Sequence, residues 1–133
     1  MSTRAVIRIY DFNDDCVAKY YVHHDGYPEA PGLGMELYEL FRDIKRKRFK
    51  LISAEEATAR IEWGIPRAER LKDWEVITDI QYMYDIFLKD KEIQVSQVYY
   101  DWRKKEYTAP IVNWVKDVWK FKREYNWFIS QHK

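Results

Sequence analysis

The chain has 133 residues, a formal net charge of +1, and 47% hydrophobic and 17% aromatic residues. This length suits one domain with one core, and the near-neutral charge excludes a global electrostatic field that attracts nucleic acid or membranes. No apolar run reaches 18 residues, which excludes a predicted transmembrane helix, and the N-terminus lacks a signal-like pattern. Because the one cysteine, Cys16, cannot form an internal disulfide, we expect a soluble protein of a reducing, cytoplasmic compartment.

The composition also indicates adaptation to heat, because aromatic and charged residues are abundant and thermolabile amides are few. The charge is segregated along the chain. Residues 1–41 and 61–100 are acidic, whereas residues 42–60 and 101–133 are basic. A local electrostatic surface is therefore possible despite the neutral total.

The N-terminal part predicts a β-hairpin followed by a stiff loop. Residues 3–10 alternate with period two, and residues 16–22 are again rich in β-formers, with a polar turn at 11–15 between them. The segment 23–34 ends the hairpin. It holds two of the three histidines, three of the four glycines, which permit positive φ, and two of the four prolines, which cannot donate to a ladder.

Two helices are predicted next. Apolar residues recur at 3.6-residue spacing from Leu33, which predicts a helix to about Arg48. Ser53 and Glu56 have the spacing of a capping box, so they predict the start of a second, shorter helix that Gly64 and the following proline end.

The second half predicts another hairpin and a closing helix. Residues 66–75 are charged, lack a period and are predicted to be a connector. Alternation over 80–88 and a β-rich run over 93–100 predict the hairpin. From Pro110 onward, a stripe spaced i, i+4, i+7, i+11 and i+14 predicts a long C-terminal helix; it consists of Trp114, Val118, Phe121, Tyr125 and Phe128. The predicted fold is a single α+β domain, residues 1–133, with an antiparallel sheet of two hairpins in the order ββααββα packed against helices.

Three motifs resemble a known family. The run Thr3-Arg4-Ala5-Val6-Ile7, the loop His24-Asp25-Gly26-Tyr27-Pro28 and the later segment 79–86 are similar to those of small uncharacterised proteins of archaeal viruses and bacteriophages. The resemblance covers roughly the first three quarters of the chain and not the aromatic C-terminal segment. It implies a viral origin, a location in the host cytoplasm and an accessory role, but no particular reaction.

The loop is the first candidate binding site, comprising His23, His24, Asp25, Gly26, Tyr27 and Pro28. If the preceding strand continues, His23 and Asp25 leave the same face, as a metal dyad requires. The one other histidine, His132, lies at the end of the chain, so a third ligand would have to be a carboxylate such as Asp79 or Glu29, and we assign no metal. We prefer a structural interpretation, in which Asp25 bonds the backbone of a turn, Gly26 adopts an unusual φ and a histidine caps it.

The glycines at the end of the loop suggest a weaker alternative. Gly32-Leu33-Gly34 begins a helix, where bare backbone N–H groups attract anions such as phosphate. Neither a Rossmann nor a P-loop fingerprint is complete, and nearby Glu29 and Glu36 would repel an anion. Ordinary helix entry is therefore the interpretation that we prefer.

Basic residues form a second candidate site, for nucleic acid. Its members are Arg42, Lys45, Arg46, Lys47, Arg48, Lys50, Lys116, Lys120 and Arg123, with Arg103, Lys104 and Lys105 nearby in sequence. The last three of the nine would share a face of the C-terminal helix. A solvated helix face in a charge-rich protein explains the same pattern.

Six tryptophans exceed what a core of this size needs, so some are expected at the surface, as anchors for a homodimer or a host protein. A large aromatic core is the alternative. The leading hypothesis is a non-enzymatic viral accessory protein that binds a host or viral macromolecule, protein rather than nucleic acid. The alternatives are a nucleic-acid-binding protein and a metal-dependent enzyme acting through His23, His24 and Asp25. We assign no catalytic residue and no cofactor, and expect no membrane partner.

Overall fold

The computed structural model describes residues 3–29, 31–45, 51–108 and 115–117. The strands are β1 (Ala5–Tyr10), β2 (Cys16–Val22), β3 (Glu69–Arg70), β4 (Tyr82–Phe87), β5 (Glu92–Gln97), β6 (Tyr99–Asp101), β7 (Glu106–Thr108) and β8 (Val115–Asp117). The helices are α1 (Leu33–Phe41) and α2 (Ala54–Gly64), with a 3₁₀ helix at Arg42–Lys45. The fold class is α+β, as predicted.

The first hairpin is confirmed. β1 and β2 pair antiparallel, from Ala5 opposite Val22 to Tyr10 opposite Cys16, with a bulge after Ile9. The turn is held by Asp11, whose carboxylate Oδ1 accepts from the backbone N–H groups of residues 13 and 15 at 2.9 and 3.0 Å. Polar turn residues thus bond their own backbone, as their type predicts.

The sheet is mixed, which corrects the predicted antiparallel arrangement in the order ββααββα. In the described part of the chain, one six-stranded sheet has the order β3-β2-β1-β4-β5-β8. The hairpins β1–β2 and β4–β5 are both antiparallel, but they meet through β1 and β4, which run parallel. The reason is the long connection through α1 and α2, because a parallel pair needs such a crossover.

Both helices form, with one change of length. α2 begins as predicted, since the Ser53 hydroxyl accepts from the Glu56 backbone N–H at 3.1 Å, and it ends at Gly64. α1 ends at Phe41 and continues as the 3₁₀ helix to Lys45, so the predicted regular helix to Arg48 is too long. Residues 46–50 lie outside the described residues.

Three strands were missed by the sequence patterns. The predicted connector contains β3, which pairs with β2 at Tyr20 and Tyr21. The predicted run 93–100 is two strands, because β5 ends at Gln97 and β6 pairs with β7 as a separate hairpin. β8 pairs with β5, so residues 115–117 are strand and not part of the predicted C-terminal helix. Pairing with a free sheet edge outweighs a helical spacing of apolar residues; the rest of that predicted helix lies outside the described residues.

The two faces of the sheet differ in what covers them. On one, here called the helical face, α1 and α2 bury a large apolar core, which includes Ile7, Tyr20, Phe41, Ile61 and Tyr84 at 0% exposure. On the other, here called the open face, Val6, Ile80 and Met83 form a small cluster that Leu71, Ile77 and Tyr107 partly cover. The cover comes from the 71–79 segment and the β6–β7 hairpin.

An ion pair crosses the parallel junction on the open face. Arg8 of β1 and Asp85 of β4 are register partners, and Arg8 Nε and Nη2 donate to the two carboxylate oxygens at 2.6 and 3.0 Å. Burial lowers the pKa of Arg8, but the hydrogen bonds and charge of Asp85 outweigh it and raise the pKa above its ordinary value. The guanidinium is thus a permanent cation.

Within the described ranges, no helix combines the length and the apolar character that crossing a bilayer would require.

Replacing Ile61 with alanine tests which side of α2 supports the core. Ile61 is fully buried on the helical face, so Ile61→Ala should lower the free energy of unfolding by about 2–5 kcal/mol. The matched control is Trp63→Ala on the same helix. Trp63 is 87% exposed, so this larger truncation should change stability by only about 0.5 kcal/mol. Urea unfolding of both variants measures the difference, and equal losses would contradict the burial of Ile61.

Candidate functional site

The loop that follows β2 is fixed to the sheet by its own backbone. Gly26 N–H donates to the Thr3 carbonyl at 2.9 Å, and Leu33 N–H donates to the Asp25 carbonyl at 2.8 Å. One end of the loop is therefore bonded to the first strand, while its other end is bonded across to the start of α1. The loop is a structural joint between sheet and helix.

Gly26 is needed because backbone passes close to it. A Cβ at this position would lie 2.8 Å from the Ala5 Cβ and 2.9 Å from the Thr3 carbonyl oxygen. The Gly26 carbonyl in turn accepts from the hydroxyl of Tyr84 at 2.7 Å, in a buried contact. Since β4 carries Tyr84, one residue of the loop binds both β4 and the segment that leads into β1.

The left-handed residue of the turn is Asp25, with φ 57°, and no glycine has positive φ. This corrects the prediction that Gly26 adopts the unusual φ. Aspartate tolerates this region better than most residues because its short polar side chain suits it. β2 ends at Val22, so the strand alternation that would place His23 and Asp25 on one face stops before them.

The backbone N–H groups of Gly32, Leu33 and Gly34 at the start of α1 are all hydrogen-bonded. This corrects the prediction that they are free to bind an anion such as phosphate. Gly32 N–H donates to the Glu29 carbonyl at 2.7 Å, and Gly34 N–H to the Tyr27 carbonyl at 3.3 Å. A Cβ at Gly32 would lie 2.2 Å from the Tyr27 carbonyl oxygen, so this glycine also serves close packing. Pro28 is buried. The N–H groups that an anion would need are bonded within the loop.

An arginine that follows α2 in the chain, Arg67, links the loop to α1. Arg67 Nε donates to the His24 carbonyl at 3.0 Å, and Arg67 Nη1 donates to Glu36 at 2.7 Å. The hydrogen bonds to Glu36 are the main cause that raises the pKa of Arg67. Glu36, predicted to repel anions, instead lies in the first turn of α1 and holds this arginine.

The two histidines remain on the surface, at the end of the open face. His23 Nδ1 accepts from Arg4 Nε at 3.4 Å and lies within hydrogen-bond distance of the Tyr21 hydroxyl, at 2.8 Å, while the His23 and His24 rings meet edge to face with centres 4.4 Å apart. Asp79, a predicted third metal ligand, forms an ion pair with Arg4. Within the part of the chain that the structure describes, no three His, Cys, Asp or Glu side chains gather as a possible metal site.

Only three of the nine residues of the predicted basic patch, Arg42, Lys45 and Lys116, lie within the described ranges, so the patch as a whole stays a prediction. Arg42 is exposed and pairs with Glu39 at 3.5 Å, and Lys45 lies in the 3₁₀ helix. Lys116 is in β8, opposite Val95 of β5. The prediction that it shares a helix face with Lys120 and Arg123 is therefore wrong for Lys116. Arg46, Lys47, Arg48, Lys50, Lys120 and Arg123 lie outside the described residues.

Instead, a basic and aromatic turn projects from the open face. This hairpin tip, Trp102-Arg103-Lys104-Lys105, connects β6 to β7. The Asp101 carboxylate accepts from the N–H groups of Arg103 and Lys104 at 2.9 and 3.3 Å, and Lys105 has φ 54°. Sequence reasoning treated Arg103, Lys104 and Lys105 as neighbours of a patch. The overlooked signal was an Asp-led turn between Tyr99-Tyr100 and Tyr107-Thr108.

The described tryptophans all lie at the surface. Trp63, Trp74 and Trp102 are 87, 75 and 71% exposed, respectively. This confirms that some of the aromatic residues are not in the core, whose largest members are tyrosine and phenylalanine. Lys72 Nζ lies 5.5 Å from the Trp74 ring centre, and Tyr100 contacts the Trp102 ring at 5.0 Å.

Comparison with protein-family models, with curated proteins and with solved structures finds no significant match. The resemblance to viral proteins stays a prediction.

Separate substitutions of Gly26 and Asp25 test the structural role of the loop. Gly26→Ala should destabilise the protein by about 1–3 kcal/mol because the new methyl meets backbone. Asp25→Gly is the control, because glycine enters the left-handed region freely and loses entropy on folding, so the two effects largely cancel. Thermal unfolding measures both. A destabilising Asp25→Gly with a neutral Gly26→Ala would show that the joint is formed differently.

Removing one hydroxyl tests the link between the loop and β4. Tyr84→Phe leaves the buried Gly26 carbonyl without this donor, so it should cost about 1–3 kcal/mol. Tyr99→Phe is the matched control, since Tyr99 is 47% exposed and its hydroxyl can bond water. Denaturant unfolding at neutral pH compares the two; equal stabilities would rule out the buried bond.

Proposed function

We propose that the protein is a non-enzymatic binding module, with an accessory role, that docks onto an acidic protein segment through its open face. The observation that carries this proposal is the exposure of Trp74 and Trp102 on the two segments that cover this face. Tryptophan rings are the side chains that most often anchor protein interfaces. The accessory role itself comes from the resemblance to viral proteins.

The two tryptophans are presented by connected supports. Trp74 lies in the 71–79 segment, and Trp102 lies in the hairpin tip. Tyr107 of β7 donates its hydroxyl to the Ile77 carbonyl, and both residues pack against the cluster formed by Val6, Ile80 and Met83. The 71–79 segment and the β6–β7 hairpin therefore form one continuous surface for a partner. An already ordered surface loses less entropy on binding than a mobile one.

The charge of the hairpin tip favours an acidic partner. Among the described ion pairs, none includes Arg103, Lys104 or Lys105, and all three are exposed. The Asp101 carboxylate bonds the turn backbone and forms no described ion pair with them. Three adjacent cations beside an aromatic ring complement a short segment of acidic and apolar residues, and such complementarity raises the association rate.

The same observations favour protein over nucleic acid. Binding duplex DNA uses about 6–10 phosphate contacts in well-studied proteins, whereas the tip offers three cations. The two segments that cover the open face also carry acidic residues, including Asp73, Glu75 and Glu106. Such a local field attracts a few carboxylates but repels a long polyanion.

The test uses a displayed library of random 12-residue peptides and the full chain as bait. Selected peptides should be rich in Asp and Glu with an aromatic or aliphatic residue. Trp102→Ala, Trp74→Ala and the triple variant R103E/K104E/K105E should each weaken the best peptide about tenfold or more. Trp63→Ala is the matched control, because its exposed ring is on α2 at the helical face, and it should leave affinity unchanged.

Three outcomes would overturn the proposal. One is a set of peptides without acidic residues, and another is equal loss of binding with Trp63→Ala. The third is tighter binding of a labelled single-stranded oligonucleotide than of any peptide, with affinity that falls steeply as salt increases. Sedimentation of the free chain tests self-association: a dimer that Trp102→Ala dissociates would identify a second copy, and not an acidic segment, as the occupant.

A further inference from the structure

A concavity of about 240 Å³ lies on the open face, next to the bulge between β1 and β2. Its lining consists of Arg8, Tyr10, Cys16, Ala18, Lys19 and Asp73. Bulges often occur beside functional sites, because they redirect side chains. The volume is below the roughly 300–1,000 Å³ of pockets for drug-sized ligands, so the concavity suits a smaller molecule.

Two cations face each other across the floor of this concavity. Arg8 and Lys19 are direct register partners on β1 and β2, and like charges placed opposite one another destabilise a sheet. The positive charge of Arg8 is balanced by the carboxylate of Asp85, to which it donates two hydrogen bonds. Lys19 is held differently: its Nζ donates to the carbonyls of Asp73 and Glu75, both at 2.9 Å, and no described ion pair includes it. Its ammonium is therefore bonded to two backbone carbonyls and to no carboxylate among the described residues.

Several donors remain available after these contacts. Arg8 uses Nε and Nη2 for Asp85, so Nη1 keeps two N–H groups without a partner among the described residues. An ammonium has three donors, and Lys19 uses two. The Tyr10 hydroxyl makes no hydrogen bond to another described residue, and burial raises the pKa of Tyr10, so it stays a neutral donor.

The remaining lining groups determine the charge and shape of a ligand. Asp73 lines the concavity and opposes a second negative charge, so a monoanion fits better than a dianion. The Cys16 thiol donates to the Ala18 carbonyl at 3.7 Å, and burial raises its pKa, so it adds no charge. The Tyr10 ring stacks on Phe87 at 4.9 Å, which supplies a rigid, planar, apolar wall.

We propose that this concavity binds a small organic monocarboxylate with a planar apolar body. The carboxylate lies between Arg8 Nη1 and Lys19 Nζ, and the body of the ligand packs along the Tyr10 ring. The site is separate from the hairpin tip and does not depend on the proposed protein partner.

Benzoate is the probe, titrated into the full chain and followed by amide NMR. Shifts should concentrate at residues 8, 10, 16, 19 and 73, with a Kd on the order of 1 mM, as is usual for a ligand of this size. Benzamide has the same shape without the charge and should bind about tenfold more weakly, because charge-assisted hydrogen bonds are the stronger ones. Inorganic phosphate, with a higher charge, should also bind more weakly.

Lys19→Gln keeps N–H donors for the two backbone carbonyls but removes the charge, and it should weaken benzoate about tenfold. Lys72→Gln is the control. Lys72 is next to Asp73 in the 71–79 segment but does not line the concavity, so the affinity for benzoate should be unchanged. If Lys19→Gln does not fold, Tyr10→Phe carries the test, with a loss of about threefold for one neutral donor. Equal binding of benzamide, stronger binding of phosphate, or unchanged affinity in the folded lining variant would overturn the proposal.

Discussion

The close approach of Gly26 to the first strand is the constraint on which the arrangement of sheet and helices depends. Its N–H donates to the Thr3 carbonyl, just before β1, and its carbonyl accepts from the Tyr84 hydroxyl of β4, so one residue links the start of β1 to β4. Buried backbone groups left without partners are costly. The turn from β2 into α1 satisfies both of these backbone groups, and the Asp25 carbonyl next to them accepts from Leu33 N–H at the start of α1.

This constraint changes the meaning of the most conspicuous motif in the sequence. A His-His-Asp-Gly run is a natural place to look for metal or acid-base chemistry. In the structure, Asp25 supplies a left-handed backbone and a carbonyl for Leu33, and Gly26 supplies space. Both histidine rings and the Asp25 side chain are left at the surface, and Arg4 and Tyr21 contact the first histidine. The backbone of the motif, rather than its polar side chains, forms the joint.

Features set by neighbouring residues could be predicted from the sequence, whereas features set by distant partners could not. The Asp11 turn, the Ser53 cap and the end of α2 at Gly64 all depend on contacts within a few residues. The parallel junction depends on how the long crossover between β2 and β4 returns to the sheet, which local pattern does not encode. β8 shows the same limit, because a helical spacing of apolar residues gave way to the open edge of β5.

The candidate binding features likewise depend in part on neighbouring residues and in part on distant partners. Arg8 and Lys19 are single basic residues of two predicted strands, and only the register places them opposite each other. Gly26 was recognised as special for the wrong reason, since φ and close approach both select glycine and a sequence cannot separate them. The tryptophans were expected at the surface from their number alone, but which sheet face presents them depends on the 71–79 segment and the β6–β7 hairpin.

Turn chemistry explains why the surface charges of this small fold are so unevenly placed. In the β1–β2 turn and in the hairpin tip, an aspartate at the start bonds the N–H groups that follow, and a residue with positive φ completes the turn. In the first turn Asp14 and Asp15 are acidic, and Asp14 lies 4.0 Å from Lys89 of the neighbouring β4–β5 turn. In the hairpin tip three residues, Arg103, Lys104 and Lys105, are basic, and the Asp101 carboxylate bonds the turn backbone and forms no described ion pair with them. One folding device thus produces an acidic turn beside a lysine and a basic one beside a tryptophan. A charged partner would consequently approach the two turns with opposite preference, and this orients it relative to the sheet before any apolar contact forms.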